Sequence, residues 1–265
     1  MSVLDTIVAR RTERIAAEYG SLSAADRERL ACCARPPRGF IAALRDRLDV
    51  AVIAEVKKAS PSAGVIAPEC DAAKQALAYE AGGAAAVSVL TEPDFFGGSF
   101  TDLSDTADAV EVPVLCKDFV VDPVQLFVAR SHGADAVLLM VRVLGTAVAD
   151  YLDLADTLGL AALVEVADPA ELETALRACA PLIGVNARDL RSLEVDLVRQ
   201  RELVAEAARA GVTVVAASGV TRRSDVQAAA ASSADAVLVG ETLMRAPFPE
   251  DVLAELTGVR KGVRQ

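Results

Sequence analysis

Gly133-Ala-Asp-Ala-Val-Leu-Leu-Met140 reads as one unit: a small residue that ends a helix, a tight turn, and a buried strand. Its apolar run is continuous rather than alternating, as in a parallel strand covered on both faces. The pattern recurs at Gly83-Ala-Ala-Ala-Val-Ser-Val-Leu90 and at Ser233-Ala-Asp-Ala-Val-Leu-Val-Gly240. Strands rich in Ala and Val look alike by composition alone, so the repeat supports the architecture without deciding it. Working outward, eight such strands are read at 50–56, 85–90, 112–116, 136–141, 161–166, 182–185, 212–216 and 236–239. Between them, stretches such as 71–81, 123–131, 169–179 and 197–210 place apolar residues at helical spacing. Strand alternating with helix eight times predicts an α/β chain folded as a single (β/α)8 TIM barrel. An open doubly wound sheet competes with it, but no Gly-x-Gly-x-x-Gly follows the first strand.

Residues 1–48 precede the barrel (49–265) as an N-terminal helical extension, helical over 4–19 and turning at Arg35-Pro-Pro-Arg38. The extension is expected to cover one end of the barrel. A chain of 265 residues is ample for one large domain with a sizeable core.

With 27 basic against 38 acidic side chains, the net charge is −11. That field argues against coating a nucleic acid or an anionic membrane, though not against a local basic pocket. Uncharged runs are too short for a membrane span, since 81–91 is followed by Glu92 and the run around Met140 is broken by Arg142. Residues 1–20 lack the apolar core of a signal peptide, so a cytoplasmic protein is expected. The single histidine, His132, and the absence of a Cys-x-x-Cys pair predict no metal site. Cys32, Cys33, Cys70, Cys116 and Cys179 are read as small core residues of a reducing compartment.

Lysine is scarce. Only Lys57, Lys58, Lys74, Lys117 and Lys261 stand against 22 arginines. Arginine stays protonated in a protein, whereas a buried lysine can act as acid, base or nucleophile. Three of the five fall where predicted strands end, which in such a barrel is the catalytic face. Strand 1 carries Glu55 and Lys57 two apart, hence on one face, followed by Ser60. Lys117 follows strand 3, Glu165 lies at the end of strand 5, Asn186 and Arg188 follow strand 6, and Ser218 follows strand 7. One charge after a strand is most often a solvated loop residue, but polar groups at five strand ends point to function. Lys58 faces away from Lys57 and reads as a surface residue, and Asp118 and Asp189 as loop caps. Ser218-Gly219 after strand 7, Gly240 after strand 8, and a short helix at Glu241–Arg245 read as a phosphate site. Glu241 suits such a site only if its carboxylate points away.

At these residues the chain resembles indole-3-glycerol-phosphate synthase, the decarboxylating barrel enzyme of tryptophan biosynthesis. The matching segments are Ile53-Ala-Glu-Val-Lys-Lys-Ala-Ser-Pro-Ser62, Leu90-Thr-Glu-Pro-Asp-Phe-Phe-Gly-Gly-Ser99 and Leu115-Cys-Lys-Asp-Phe119. Leu163-Val-Glu-Val166, Ile183-Gly-Val-Asn186, Arg188-Asp-Leu190 and Ser218-Gly219 follow in order. The resemblance implies closure of 1-(2-carboxyphenylamino)-1-deoxyribulose 5-phosphate to indole-3-glycerol phosphate, with loss of CO2 and water and with no cofactor. It implies Lys117 as general acid, with Glu165 and Lys57 assisting the dehydration and Glu55 as a base or as a partner that sets the charge of Lys57. The division among these three stays open, because coupled groups take no separate roles from spacing. The resemblance further implies that Asn186 and Ser218 belong to the catalytic set, Asn186 also holding a substrate hydroxyl, that Arg188 with Lys57 binds the substrate carboxylate, and that Ser60, Gly219, Gly240 and Glu241 surround its phosphate. Phe95, Phe96 and Phe119 would wall the aromatic ring. Where the family usually carries Lys, Asn and Glu, this chain has Ala63, Ala187 and Ala217. A paralogue acting on a substituted anthranilate, a Schiff-base aldolase or sugar-phosphate isomerase, and a non-catalytic barrel binding a phosphorylated ligand are the alternative readings. A small phosphorylated substrate is the partner implied, with other tryptophan-pathway enzymes as further candidates.

Overall fold

The computed structural model describes residues 2–32, 34–189 and 194–262. Its strands are β1 (Ala51–Val56), β2 (Ala86–Leu90), β3 (Val114–Lys117), β4 (Ala136–Met140), β5 (Ala161–Val166), β6 (Leu182–Asn186), β7 (Thr213–Ala217) and β8 (Ala236–Val239). All eight pair in parallel and in sequence order, and β1 closes on β8 with Ala51 opposite Ala236. The expected TIM barrel is therefore the fold. Strand 3 begins two residues later than its apolar run suggests, beyond Pro113, and extends to Lys117. Proline has no N–H to give to a ladder. An antiparallel pair at Ala59–Ser60 and Gly64–Val65, not read from the sequence, folds over after β1.

Continuous burial of the strands has two causes, one for each face. Val52, Ala54 and Val56 pack outward in one apolar cluster, beneath helices such as α4 (Ala72–Ala81). Ala51 and Ile53 point inward with Ala86, Leu115, Ala136, Leu138, Leu163, Leu182, Val215, Ala236 and Leu238. The same alternation carries Glu55, Lys117, Glu165 and Asn186 to the inner face at the carboxyl end.

The internal repeat has a physical basis. Asp135 and Asp235 are buried ahead of β4 and β8, and accept the N–H of Val114 at 2.8 Å and of Val214 at 2.9 Å. Each carboxylate thus ties its strand to the start of the preceding one. At the matching place in the first repeat stands Ala85, which cannot do so.

The extension covers both ends of the barrel rather than one. Helix α1 (Val3–Tyr19), opened by a Ser2–Asp5 capping box, brings Val3 and Ile7 to the mouth. Helix α2 (Ala24–Cys32) runs down beside the later helix Val124–Ser131. Helix α3 (Phe40–Arg45) then closes the opposite end, with Phe40 and Leu44 buried among the first inward residues of the strands. Lys261 fixes that plug by donating to the carbonyls of Leu44 and Arg45. Residues 35–38 form an irregular segment rather than a turn, because both arginines have distant partners. Arg35 donates to Asp135 and Gly133, and Arg38 to Val112 and Ala107.

The cysteines divide. Cys116 is buried, and burial pushes its thiol up to about 12, so it is inert core. Cys32 and Cys179 are exposed and Cys70 is half-buried, contrary to the reading of all five as core. Cys33 lies outside the described residues. No helix among the described residues is long and apolar enough to cross a membrane.

Replacing Phe40 by Ala empties the plug, and a loss of about 3–5 kcal/mol is expected for such a truncation. The urea midpoint of the variant, set beside that of the unmodified chain, checks this.

Candidate active site

The last inward residue of each strand forms the floor of one cavity. Around the ring these are Glu55 and Lys57 for β1, Leu90, Lys117, Met140, Glu165, Asn186, Ala217 and Leu238. Polarity therefore comes from β1, β3, β5 and β6, and hydrocarbon from β2, β4, β7 and β8. With its open mouth the cavity encloses about 810 Å³, bounded above by Val3, Ile7, Ser60, Pro61, Ser62, Phe96, Phe119, Arg188 and Ser218.

The charged floor is paired. Lys57 Nζ lies 3.1 Å from Glu55 Oε1, and Lys117 Nζ lies 3.7 Å from Glu165 Oε2. Burial alone would lower the Lys117 pKa, but the carboxylates of Glu165 and Glu55 outweigh it and hold the pKa above the ordinary lysine value. Lys117 is thus a protonated amine in an enclosed space, able to donate to a carbonyl oxygen. Asn186 links the acid pair to the next strands: its Nδ2 donates to Glu165 Oε1 at 3.1 Å, and its Oδ1 accepts from Ser218 Oγ at 2.9 Å and from Arg188 N at 3.0 Å.

Two glycines are fixed by close approach. At Gly240 a Cβ would lie 2.5 Å from Glu55 Oε1 and 3.1 Å from Lys57 Nζ. At Gly219, φ is +81° and a Cβ would meet Leu197 Cδ2 at 2.7 Å. Ser218 precedes it at φ +71°, so two left-handed residues turn the chain sharply out of β7.

Most residues singled out in the sequence converge. Glu55, Lys57, Ser60, Phe96, Lys117, Phe119, Glu165, Asn186, Arg188 and Ser218 all line the cavity. Phe96 and Phe119 sit with ring centroids 5.7 Å apart. Phe95 instead faces a separate groove against Thr6, Ala9 and Arg10 of α1. Gly219 borders a small crevice beside Leu197 and Gln200. Gly240 lies behind Glu55, and the Glu241 carboxylate turns to Arg245 at 2.9 Å, on the one-turn helix Glu241–Met244. Lys58 is not a free surface residue, since its Nζ lies 2.8 Å from both oxygens of Asp102. Asp118 and Asp189 have distant cationic partners, Arg11 and Arg142, rather than only local capping bonds. Leu190 lies outside the described residues.

Sequence reading missed several supports. Buried Glu92 accepts the N–H groups of Asp94, Phe95 and Phe96 and so sets the short helix that aims Phe96 into the cavity. Arg142 joins Asp168, Glu171 and Asp189, tying the loop after β6 to those after β4 and β5. Acidity directly before Pro93 is a readable capping signal. Nothing local marks Arg142.

Fold and site together define a (β/α)8 barrel with paired lysines and carboxylates at the carboxyl ends of its strands, where enzymes of this fold carry their active sites. A family model described as indole-3-glycerol phosphate synthase matches residues 4–256. The chain belongs to the indole-3-glycerol phosphate synthase family. It is 47% identical over 259 residues to the protein of that name from Mycobacterium avium (strain 104), covering 96% of this chain and 93% of that one. Those from Mycobacterium ulcerans (strain Agy99) and Mycobacterium tuberculosis (strain ATCC 25618 / H37Rv) are 46% identical over the same shares. Among solved structures, a tryptophan synthase α-subunit variant from Pyrococcus furiosus superposes with a TM-score of 0.59 at 16% identity, over 78% of this chain and 98% of that one. Thiamine phosphate pyrophosphorylase from the same organism gives 0.58 at 18%, over 80% and 95%. These two show the fold alone.

Two outcomes test the geometry. Gly240→Ala should displace the Glu55–Lys57 pair at a cost of about 1–3 kcal/mol, with activity lost at temperatures where circular dichroism still reports a folded barrel. Glu165→Gln removes the main charge that raises Lys117, leaving burial less opposed. If protonated Lys117 is required, kcat/KM falls as pH rises through its pKa, and in this variant that fall should begin at lower pH.

Proposed function

We propose that the chain closes 1-(2-carboxyphenylamino)-1-deoxyribulose 5-phosphate to indole-3-glycerol phosphate, releasing CO2 and water, as a cofactor-independent carboxy-lyase. The observation that carries this reading is the Lys117–Glu165 pair, a protonated amine on the floor of a partly apolar cavity, in a chain of this family.

Lys117 donates to the ketone oxygen, making the ketone carbon electrophilic. The ring carbon that bears the carboxylate attacks it, forming the new carbon–carbon bond. The carboxylate then leaves as CO2 and its bonding electrons restore the aromatic ring. Next, the hydroxyl made from the ketone departs as water, taking one proton, while the neighbouring carbon gives up another. Every step is a proton transfer or the polar making or breaking of a bond, so amines and carboxylates suffice. Glu165, Lys57 and Glu55 are the groups within the cavity for the dehydration half, with their order undivided.

Arg188 and Lys57 supply cationic partners for the substrate carboxylate, and Phe96 and Phe119 an apolar wall for its ring. Ser218 and Asn186 hold hydroxyls. Ser60, with the backbone at Gly219, Gly240 and Glu241, is proposed for the phosphate, a reading supported by the outward turn of the Glu241 carboxylate. A cytoplasmic location is proposed from the net charge and the short uncharged runs.

The chain has no tryptophan, so indole emission from product is read against a dark background. Lys117→Ala should lower turnover by about 100-fold or more, the usual worth of a general acid, at temperatures where circular dichroism still reports a folded barrel, its melting temperature lowered because Glu165 loses its partner. Unchanged turnover would overturn the assignment. Tight binding of the ribulotide with no indole formed, even by the unmodified chain, would instead support a ligand-binding barrel.

A further inference from the structure

The residue following Lys117 is held from the far end of the sequence. Arg11, on α1, is buried, and its Nε donates to Asp118 Oδ1 at 2.9 Å while Nη2 reaches Oδ2. Asp118 is equally buried and accepts from Thr91 Oγ1 at 2.8 Å and from its neighbour Phe119 N at 2.8 Å. Thr91 also gives its N–H to the carbonyl of Lys117 at 3.1 Å. The chain just beyond Lys117 is therefore clamped: the carbonyl of Lys117 by Thr91, and the side chain of its successor by Thr91 and Arg11.

Stability alone does not account for a charge pair in that position. Two buried charges forfeit their hydration, and replacing such a pair by apolar groups is often neutral or stabilising. Nor does α1 depend on the pair to dock. Leu4 and Ile7 join the apolar cluster of the barrel interior, Ile15 packs on Val124 and Val128, and Arg14 meets Asp94 at 3.3 Å. A bidentate guanidinium adds what apolar packing cannot, a fixed direction. Arg11 is one turn beyond Ile7 and two beyond Leu4, so its grip also sets the register in which α1 presents Val3 and Ile7 to the cavity.

We infer that Arg11 is a positioning residue: through Asp118 it fixes how the Lys117 amine enters the cavity and where α1 lays Val3 and Ile7 along its wall. The extension is thereby part of the active site's geometry and not only its cover. The inference rests on Lys117 being the acid proposed above.

The test compares Arg11→Met, Asp118→Asn and the double variant with the unmodified chain. Arg11→Met leaves a buried carboxylate unpaired and should lower both stability and kcat. The double variant leaves no orphan charge, so its thermal midpoint should recover. Its kcat should nevertheless stay about tenfold or more below normal with KM within about threefold, the signature of an interaction used in the transition state. Arg11→Lys, which cannot form the bidentate contact, should recover kcat only in part. A double variant with normal kcat and normal pH profile would overturn the inference, leaving the pair a docking device. A readout independent of turnover is available because only five lysines are present. After reductive 13C-methylation, the Lys117 resonance, assigned by Lys117→Arg, should titrate at lower pH in the double variant as the amine leaves Glu165. An unmoved titration would likewise overturn the inference. Failure of the unmodified chain to form indole would count against the functional reading instead, while the titration would still decide the role of Arg11.

Discussion

Closing eight strands into a barrel forces every second side chain into one confined interior, and everything distinctive in this molecule follows from how that interior ends. Deeper in the barrel the inward positions are alanine, leucine, isoleucine and valine, which fill the space. At the carboxyl ends the same alternation delivers Glu55, Lys117, Glu165 and Asn186 to a place where water is scarce. Charges there stand only if each finds an opposite charge. Lys57 with Glu55 and Lys117 with Glu165 meet that demand, and the pairing is itself what keeps Lys117 protonated. The chemistry and the stability of the floor are one electrostatic arrangement.

Packing around that floor leaves little freedom. A side chain at Gly240 would have to push the Glu55 carboxylate aside, so a residue read as a phosphate contact also makes room for the Glu55–Lys57 pair. Phe96 faces the cavity because Glu92, buried and turned back, gathers three backbone N–H groups of the short helix it caps. The loop after β6 keeps Arg188 at the mouth, with Arg142 drawing Asp189 toward Asp168 and Glu171. Glu92 and Arg142 are charged groups with little exposure, where losing a partner costs far more than at the surface.

The strands were legible because parallel, doubly covered strands must be continuously apolar, and 161–166 and 236–239 match to the residue. Lys57 and Lys117 were legible because lysine is rare here and period 2 tells which face each occupies. The buried ends of long-range pairs were not. Arg11 looks like any charged residue of an amphipathic helix until Asp118 is brought to it across 107 positions. Lys58 faces away from the cavity as period 2 requires, but that does not make it solvated, since Asp102 on the helix Phe100–Ala109 pairs with it. The plug formed by α3 was missed for a similar reason: Phe40 and Leu44 show no pattern by themselves, and their partners are the first inward residues of distant strands.

The overall charge of −11 is a property of the surface, and the site contradicts it locally. Three cations line the cavity, Lys57, Lys117 and Arg188, against the carboxylates Glu55 and Glu165, with Asp118 already matched by Arg11. At physiological ionic strength, fields fade over roughly 8 Å, so the acidic exterior weighs little on a ligand inside the mouth while the cavity's own cations act at contact. An anionic substrate therefore meets mild repulsion at a distance and attraction only on entry. Such a ligand is held by the groups that surround its reacting atoms and not by the protein's general field. On the function proposed above, a substrate carboxylate beside Lys57 would compete with Glu55 for the amine, so the ligand's charge and the pairing of the floor act on the same group.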